Sequence, residues 1–164
     1  MSTITLADKN IREKTIMIIR KVKEQDLRAI ASLYRGFWNE ESCMEKMEST
    51  LSLLNKHPDY IILSAIENKK VVGTITGIIC HQLYGDCKPI LVIENFVVDV
   101  TYRRRGIGKA LFKRIESMAK KKKCCQIQLI TDSFRKGSQR FYESVGFPKG
   151  IHKGYKKEIE YKIA

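Results

Sequence analysis

Ile93-Glu94-Asn95-Phe96-Val97-Val98 is followed, five residues after Val98, by Arg103-Arg104-Arg105-Gly106-Ile107-Gly108-Lys109, and the junction between them decides how the chain is read. The first segment is apolar and β-branched, which suits a strand. Beyond Gly106 the period changes. Ile107, Ala110, Leu111, Ile115, Met118 and Ala119 recur at helical spacing, with Lys109, Lys113, Glu116 and Lys120 on the other face. Glycines in a strand-to-helix turn let backbone N–H groups approach an anion, the helix start adds a positive dipole, and arginines add charge-assisted hydrogen bonds. All three favour a pyrophosphate. The turn is not a Walker motif, because Gly-Lys-Ser/Thr is absent, and not the Gly-x-Gly-x-x-Gly of dinucleotide folds, because Leu111 stands at the third glycine.

Outward from the junction, 126–130 reads as a short strand, so that the strand at 91–98, the helix and this strand form a parallel βαβ unit, where a nucleotide-like ligand docks. On the N-terminal side, 60–66 and 71–80 form a hairpin across the polar turn 67–70, and 81–89 is a loop. Before it, Asp26 caps a helix carrying Leu27, Ile30, Leu33, Tyr34, Phe37 and Trp38, and a second helix over 41–56 stops before Pro58. Ile16 to Ile19 suits a first strand. After the unit come a helix over 136–145, closed by Gly146, and an alternating strand over 155–163. The order β, α, α, β, β, β, α, β, α, β predicts an α/β (α+β) fold, one mixed sheet flanked by helices. Residues 1–14 read as a flexible leader and 15–164 as a single domain.

With 164 residues, 43% hydrophobic content and only three prolines, the chain buries one core and is neither collagen-like nor disordered. No apolar run approaches the ~18 residues of a membrane span, and the N-terminus lacks a secretory apolar core, which predicts a cytoplasmic protein. Five cysteines, an odd number without Cys-x-x-Cys, argue against a disulfide framework or zinc site. Cys124 and Cys125 read as small buried thiols opening a strand. Lys plus Arg is 31 against 18 Asp plus Glu, and residues 101–123 hold ten basic residues against the single acid Glu116. That excess points to anionic partners. Lys120 to Lys123 read as a solvated face, whereas Arg103 to Arg105 stand beside the glycines and need another account.

The strand, Arg-x-x-Gly-x-Gly, and, about 30 residues later, Phe141-Tyr142-Glu143-Ser144-Val145-Gly146-Phe147 occur in the order and at the separation by which the chain resembles the GNAT superfamily of acyl-CoA-dependent N-acyltransferases, over most of 16–161. The resemblance implies acetyl-CoA as co-substrate and no metal. The amides of Arg104, Arg105, Gly106, Ile107, Gly108 and Lys109 would hold the CoA pyrophosphate, with charge from Arg103 or its neighbours. The backbone of Phe96, Val97 and Val98 would take the pantetheine arm as an added strand, where the strands at 91–98 and 126–130 splay. The Val98 amide would polarise the thioester carbonyl and stabilise the oxyanion. Ser138 stands near the arm where the family usually has Ala, and Arg135 where many members have Asn.

N-acetyl transfer needs an amine freed of its proton and a thiolate that receives one. By the resemblance Tyr142 is the general acid; as a plain residue it is a packed aromatic. Glu94 interrupts an apolar strand, where desolvation would make it a useful base; read plainly, it is an edge or ion-paired carboxylate. His57, His81 and His152 are isolated surface or loop histidines, although His81, Tyr84 and Asp86 sit in a loop that suits the acceptor cleft; by the resemblance Phe37 and Trp38, at the end of the first helix, could line it too, while read plainly Trp38 is core. The expected function is transfer of acetyl to a primary amine of a small molecule by direct attack in a ternary complex. The alternatives are a protein N-terminal or lysine acetyltransferase, a non-catalytic acyl-CoA sensor, and a basic nucleic-acid binder. The last is disfavoured because the basic run lacks interleaved aromatics. A homodimer through the last strands is a further expectation.

Overall fold

A computed structural model describes residues 17–159 of the protein. Five strands lie in the order β1 (Met17–Lys21), β2 (Tyr60–Glu67), β3 (Lys70–Cys80), β4 (Ile90–Val98) and β5 (Ile127–Gln128). The first four pair antiparallel and β5 joins β4 in parallel. Parallel neighbours need a long crossover, supplied here by α3 (Ile107–Lys121). The remaining helices are α1 (Leu27–Trp38), α2 (Met44–Leu54) and α4 (Lys136–Ser144).

β3 is buried almost without interruption from Val72 to Gly77 because helices cover both faces of the sheet. On one face Leu111, Phe112, Ile115 and Ala119 of α3 pack on Leu63, Ala65, Ile75, Leu91 and Ile93. A Cβ on Gly77 would come 2.6 Å from Ile115 Cδ1 and 2.8 Å from Leu91 Cδ1, so glycine sets how closely α3 lies on the sheet. A second cluster under α1 and α2 joins Leu27, Ile30 and Leu51 to Val22, with Met44, Met47 and Tyr34 packed around it.

Several expectations are corrected. Residues 155–159 form no strand and are exposed: Tyr155 and Ile159 alternate as a strand would but have no ladder to join. Residues 160–163 of that expected strand, Ile16 of the first strand and the expected leader 1–14 lie outside the described residues. β5 keeps two residues of the expected five, and α2 is shorter at both ends. Trp38 is 37% exposed, edge-on to Tyr34 and Phe37 rather than in the core. Cys124 is half-buried and Cys125 exposed, so the expected pair of buried thiols is one at most. His81 is not isolated, since Nε2 lies 3.2 Å from Asp59 Oδ1.

Asp26 precedes α1 but makes no side-chain cap to that helix; its carboxylate caps the 3₁₀ turn Glu24–Asp26 before it. It is 3% exposed and takes both Nη1 and Nη2 of Arg20 at 2.6 and 2.9 Å, with the Lys23 amide donating at 2.8 Å. Burial alone would raise its carboxyl; the Arg20 fork and the Lys23 amide outweigh that and hold it below the usual range. A carboxyl lowered by folding contributes stability that is present above the unfolded pKa, about 3.9, and is lost as pH falls through the folded value. Asp26→Asn is therefore expected to lower Tm at pH 7 by about 4–8 °C, with the gap to wild type narrowing below about pH 4. An equal gap at pH 7 and pH 2.5 in thermal melts would contradict this account.

Candidate active site

The site begins with an irregularity in β4. Thr74 pairs Val97 and Thr76 pairs Glu94, so Ile75 alone faces the two residues Asn95 and Phe96. This is a β-bulge, and Asn95 enters the left-handed region at φ 49°. Asn is among the few side chains that tolerate it. Gly73 makes room across the ladder, since a Cβ there would lie 3.1 Å from the Val97 carbonyl oxygen. On its other side β4 pairs β5 only at Leu91 with Ile127 and Val92 with Gln128. From Ile93 to Val98 that edge has no strand partner among the described residues, which leaves backbone N–H and C=O groups open to an extended ligand.

At the end of β4 the chain turns through a short 3₁₀ segment, Val100–Tyr102, pinned by Asp99, whose carboxylate accepts from the Thr101 amide at 2.8 Å. Arg104 and Gly106 are left-handed, at φ 63° and 83°, and α3 starts with Ala110 N–H donating to the Gly106 carbonyl at 2.9 Å. The first amides of α3 receive no side-chain cap, and its first turn holds no acid. A helix start normally recruits one or the other. Here it is flanked by Arg103, Arg104, Arg105 and Lys109, an arrangement that suits a bound anion and fits a CoA pyrophosphate. The three arginines differ. Arg105 pairs with buried Glu67 at 3.3 Å and lies over Tyr102, Arg103 donates from Nε to the Val98 carbonyl at 3.1 Å, and Arg104 is exposed. The outer face of α3, with Lys113, Arg114 and Lys120 to Lys123, is solvated, as its charge pattern predicts.

The second glycine does a different job. A Cβ on Gly108 would lie 3.2 Å from Phe141 Cε2, so this glycine seats α4 against the start of α3. Phe141 also meets Phe96 of the bulge edge-on at 5.4 Å, and the Tyr142 ring lies among Phe96, Phe141 and Phe147 at 6.5, 5.4 and 5.7 Å. Burial, reinforced by the charge of Glu94, pushes the Tyr142 phenol above its ordinary value, so it remains protonated at neutral pH. Glu94 and Tyr142, expected separately from the sequence, both lie near Phe96: Glu94 two residues before it on β4, and the Tyr142 ring 6.5 Å from its ring. Glu94 is exposed, however, so the expected desolvation inside an apolar strand is absent: it stands where the bulge opens the ladder. Ser138 is half-buried on the first turn of α4.

Two features escaped the sequence reading. The bulge had a signal in the Glu94-Asn95 pair within an apolar run. The contacts of Arg135 had none: its guanidinium lies 4.3 Å over the ring of Phe37, near the end of α1, and its Nε donates to Asp132 at 2.8 Å. Among the described residues no His, Cys, Asp or Glu cluster suits a metal ion, and no helix is long and apolar enough to cross a membrane. Because Gly106 sits at positive φ, Gly106→Ala is expected to cost about 1–2 kcal/mol, seen as a Tm lowered by roughly 2–8 °C, while exposed Lys109→Ala leaves Tm within about 1 °C. Equal melting of Gly106→Ala and wild type would contradict the left-handed turn.

Comparison with known proteins agrees with this geometry. Residues 27–147 match the model of the acetyltransferase (GNAT) family. The chain is 30% identical over 123 residues to the glucosamine 6-phosphate N-acetyltransferase of Trypanosoma brucei brucei, spanning 62% of this chain and 82% of that protein. Among solved structures, a putative acetyltransferase from Agrobacterium tumefaciens str. C58 superposes with a TM-score of 0.79 at 26% identity, covering 87% of this chain and 99% of that one. An aminoglycoside N-acetyltransferase in complex with CoA shares the fold, with a TM-score of 0.72 at 18% identity over 93% of this chain and 97% of its own. With the mixed sheet, the opened β4 edge and the uncapped α3 turn in place, the chain belongs to the acetyltransferase (GNAT) family and is an acyltransferase of that kind.

Proposed function

We propose that the protein acts in the cytoplasm, transferring an acetyl group from acetyl-CoA to a primary amine of a small molecule by direct attack in a ternary complex. The observation that carries this reading is the parting of β4 and β5 after Val92 and Gln128, beside an α3 start that has neither cap nor acid, with Glu94 and Tyr142 at the gap. The small-molecule acceptor is supported by the relatives, which act on glucosamine 6-phosphate or on aminoglycosides.

The α3 amides from Gly106 to Lys109 would hold the pyrophosphate, and the open edge from Phe96 to Val98 the pantetheine arm. When bound, acetyl-CoA supplies an activated acyl carbon and a sulfur leaving group. The Val98 amide would donate toward the thioester oxygen. Glu94, exposed at the gap, accepts the amine proton directly or through one water. Tyr142 keeps its proton because burial and the Glu94 charge disfavour the phenolate, and it donates that proton toward the sulfur. Bringing both substrates to one cleft replaces a bimolecular encounter with a positioned attack.

Tyr142→Phe should lower kcat by about 10²-fold or more, with the Kd for CoA unchanged within about twofold. Glu94→Gln should lower kcat/KM comparably. Because the phenol is raised, wild-type turnover should not fall through loss of this donor until above about pH 10. Parallel loss of CoA affinity and turnover in Tyr142→Phe, read by calorimetry and thiol release, would assign Tyr142 to packing alone and contradict this mechanism.

A further inference from the structure

Two arginines lie against the ring of Phe37. Arg135 lies 4.3 Å from its ring centroid and Arg103 6.0 Å, the first reaching in from the segment after β5 and the second from the turn after β4. The two therefore come from opposite lips of the gap. Arg135 is 27% exposed, with its Nε on Asp132 at 2.8 Å, and the exposed Arg103 has its Nε on the Val98 carbonyl at 3.1 Å. Those bonds use the Nε–H groups and leave the terminal guanidinium nitrogens available. Arg103 makes no ion pair among the described residues, so two guanidinium charges share one ring with a single carboxylate. Like charges brought together beside an aromatic wall favour an anion between them, and the planar fork suits phosphate or carboxylate.

The side of the sheet identifies which anion. Side chains alternate along a strand. Ile75 belongs to the core under α3, and a Cβ on Gly77 would meet Ile115 of α3. Thr76 between them therefore faces α1, and so does Glu94, its partner across the ladder. Phe37 belongs to α1, so both guanidinium groups reach to the side of the sheet that holds Glu94, although the Arg103 backbone stands in the turn that leads into α3 on the opposite face. From Glu94 to Val98, whose carbonyl Arg103 holds, is four residues, at most roughly 13 Å of strand.

We propose that Arg135 and Arg103, backed by Phe37, form an anion subsite for the acceptor, so that the amine acetylated beside Glu94 belongs to a molecule that also carries a phosphate or carboxylate. The proposal rests on the acetyltransferase reading and narrows it to anionic rather than polycationic amines. Arg135 is then a specificity-determining residue.

The test uses glucosamine 6-phosphate and unphosphorylated glucosamine as probes, with wild type, Arg135→Gln and Arg135→Lys, reading equilibrium binding by calorimetry alongside acetyl transfer. Wild type is expected to bind the phosphorylated probe at least about tenfold tighter than glucosamine, roughly 1.4 kcal/mol. Arg135→Gln should erase that preference and leave acetyl-CoA affinity within about twofold, with Arg135→Lys in between. Phosphate-dependent binding lost in Arg135→Gln, without acetyl transfer to either probe, would support the subsite and contradict the proposed transfer to the small-molecule amine it holds. Equal binding of both probes by wild type would overturn the subsite, and so would an Arg135→Gln variant that loses acetyl-CoA affinity by the same factor, which assigns the arginine to the cofactor's phosphates.

Discussion

One extra residue in β4 governs the rest of this molecule. Before the bulge, β4 is an ordinary strand, bonded to β3 on one side and to β5 on the other through Leu91 and Val92. Past Asn95 it stays on β3 and leaves β5. A sheet edge exposed in mid-molecule is a liability unless something covers it, and here a ligand backbone would complete the ladder. The bulge is stable because three local costs are low together: Asn tolerates φ 49°, Gly73 removes the Cβ that would crowd the Val97 carbonyl, and Phe96 is anchored by Phe141. None of the three residues needs to touch a substrate to matter.

The same economy links the anion turn to the chemistry. Gly106 supplies a backbone conformation and Gly108 supplies space. Through Gly108 the start of α3 touches Phe141, Phe141 touches Phe96, and Tyr142 lies against both rings. A shift in the turn therefore reaches the phenol through rigid aromatic contacts rather than a flexible loop. Arg105, bonded to Glu67 and stacked on Tyr102, ties the turn to the far end of β2, so not every arginine of the basic triplet faces the ligand.

The elements and their order were legible because each carries its own signal: β-branched apolar runs in the hairpin of β2 and β3, and a period of about 3.6 in α1 and α3. The anion turn was legible because glycine at a strand-to-helix junction has few other uses. Asn95 hid inside an apolar run because a bulge changes register without changing composition. Glu94 was read as desolvated in a cleft for the same reason: alternation puts a strand residue on a face, but only the neighbouring elements decide whether that face is covered. Tyr155 and Ile159 show the converse, a strand pattern with no partner in place. The stacking of Arg135 and Arg103 on Phe37 joins residues 32 and 66 or more positions apart or away from α1, and no local period reports such a meeting.

The central claim is that the open edge of β4 receives the cofactor's arm as a substitute strand. Backbone amide hydrogen exchange along 93–98 with and without CoA tests it most directly, since an amide that gains a partner exchanges more slowly. The account predicts that CoA slows exchange both at the start of α3 and along Phe96 to Val98. Protection at α3 alone, with the β4 edge exchanging as fast as in the free protein, would contradict it.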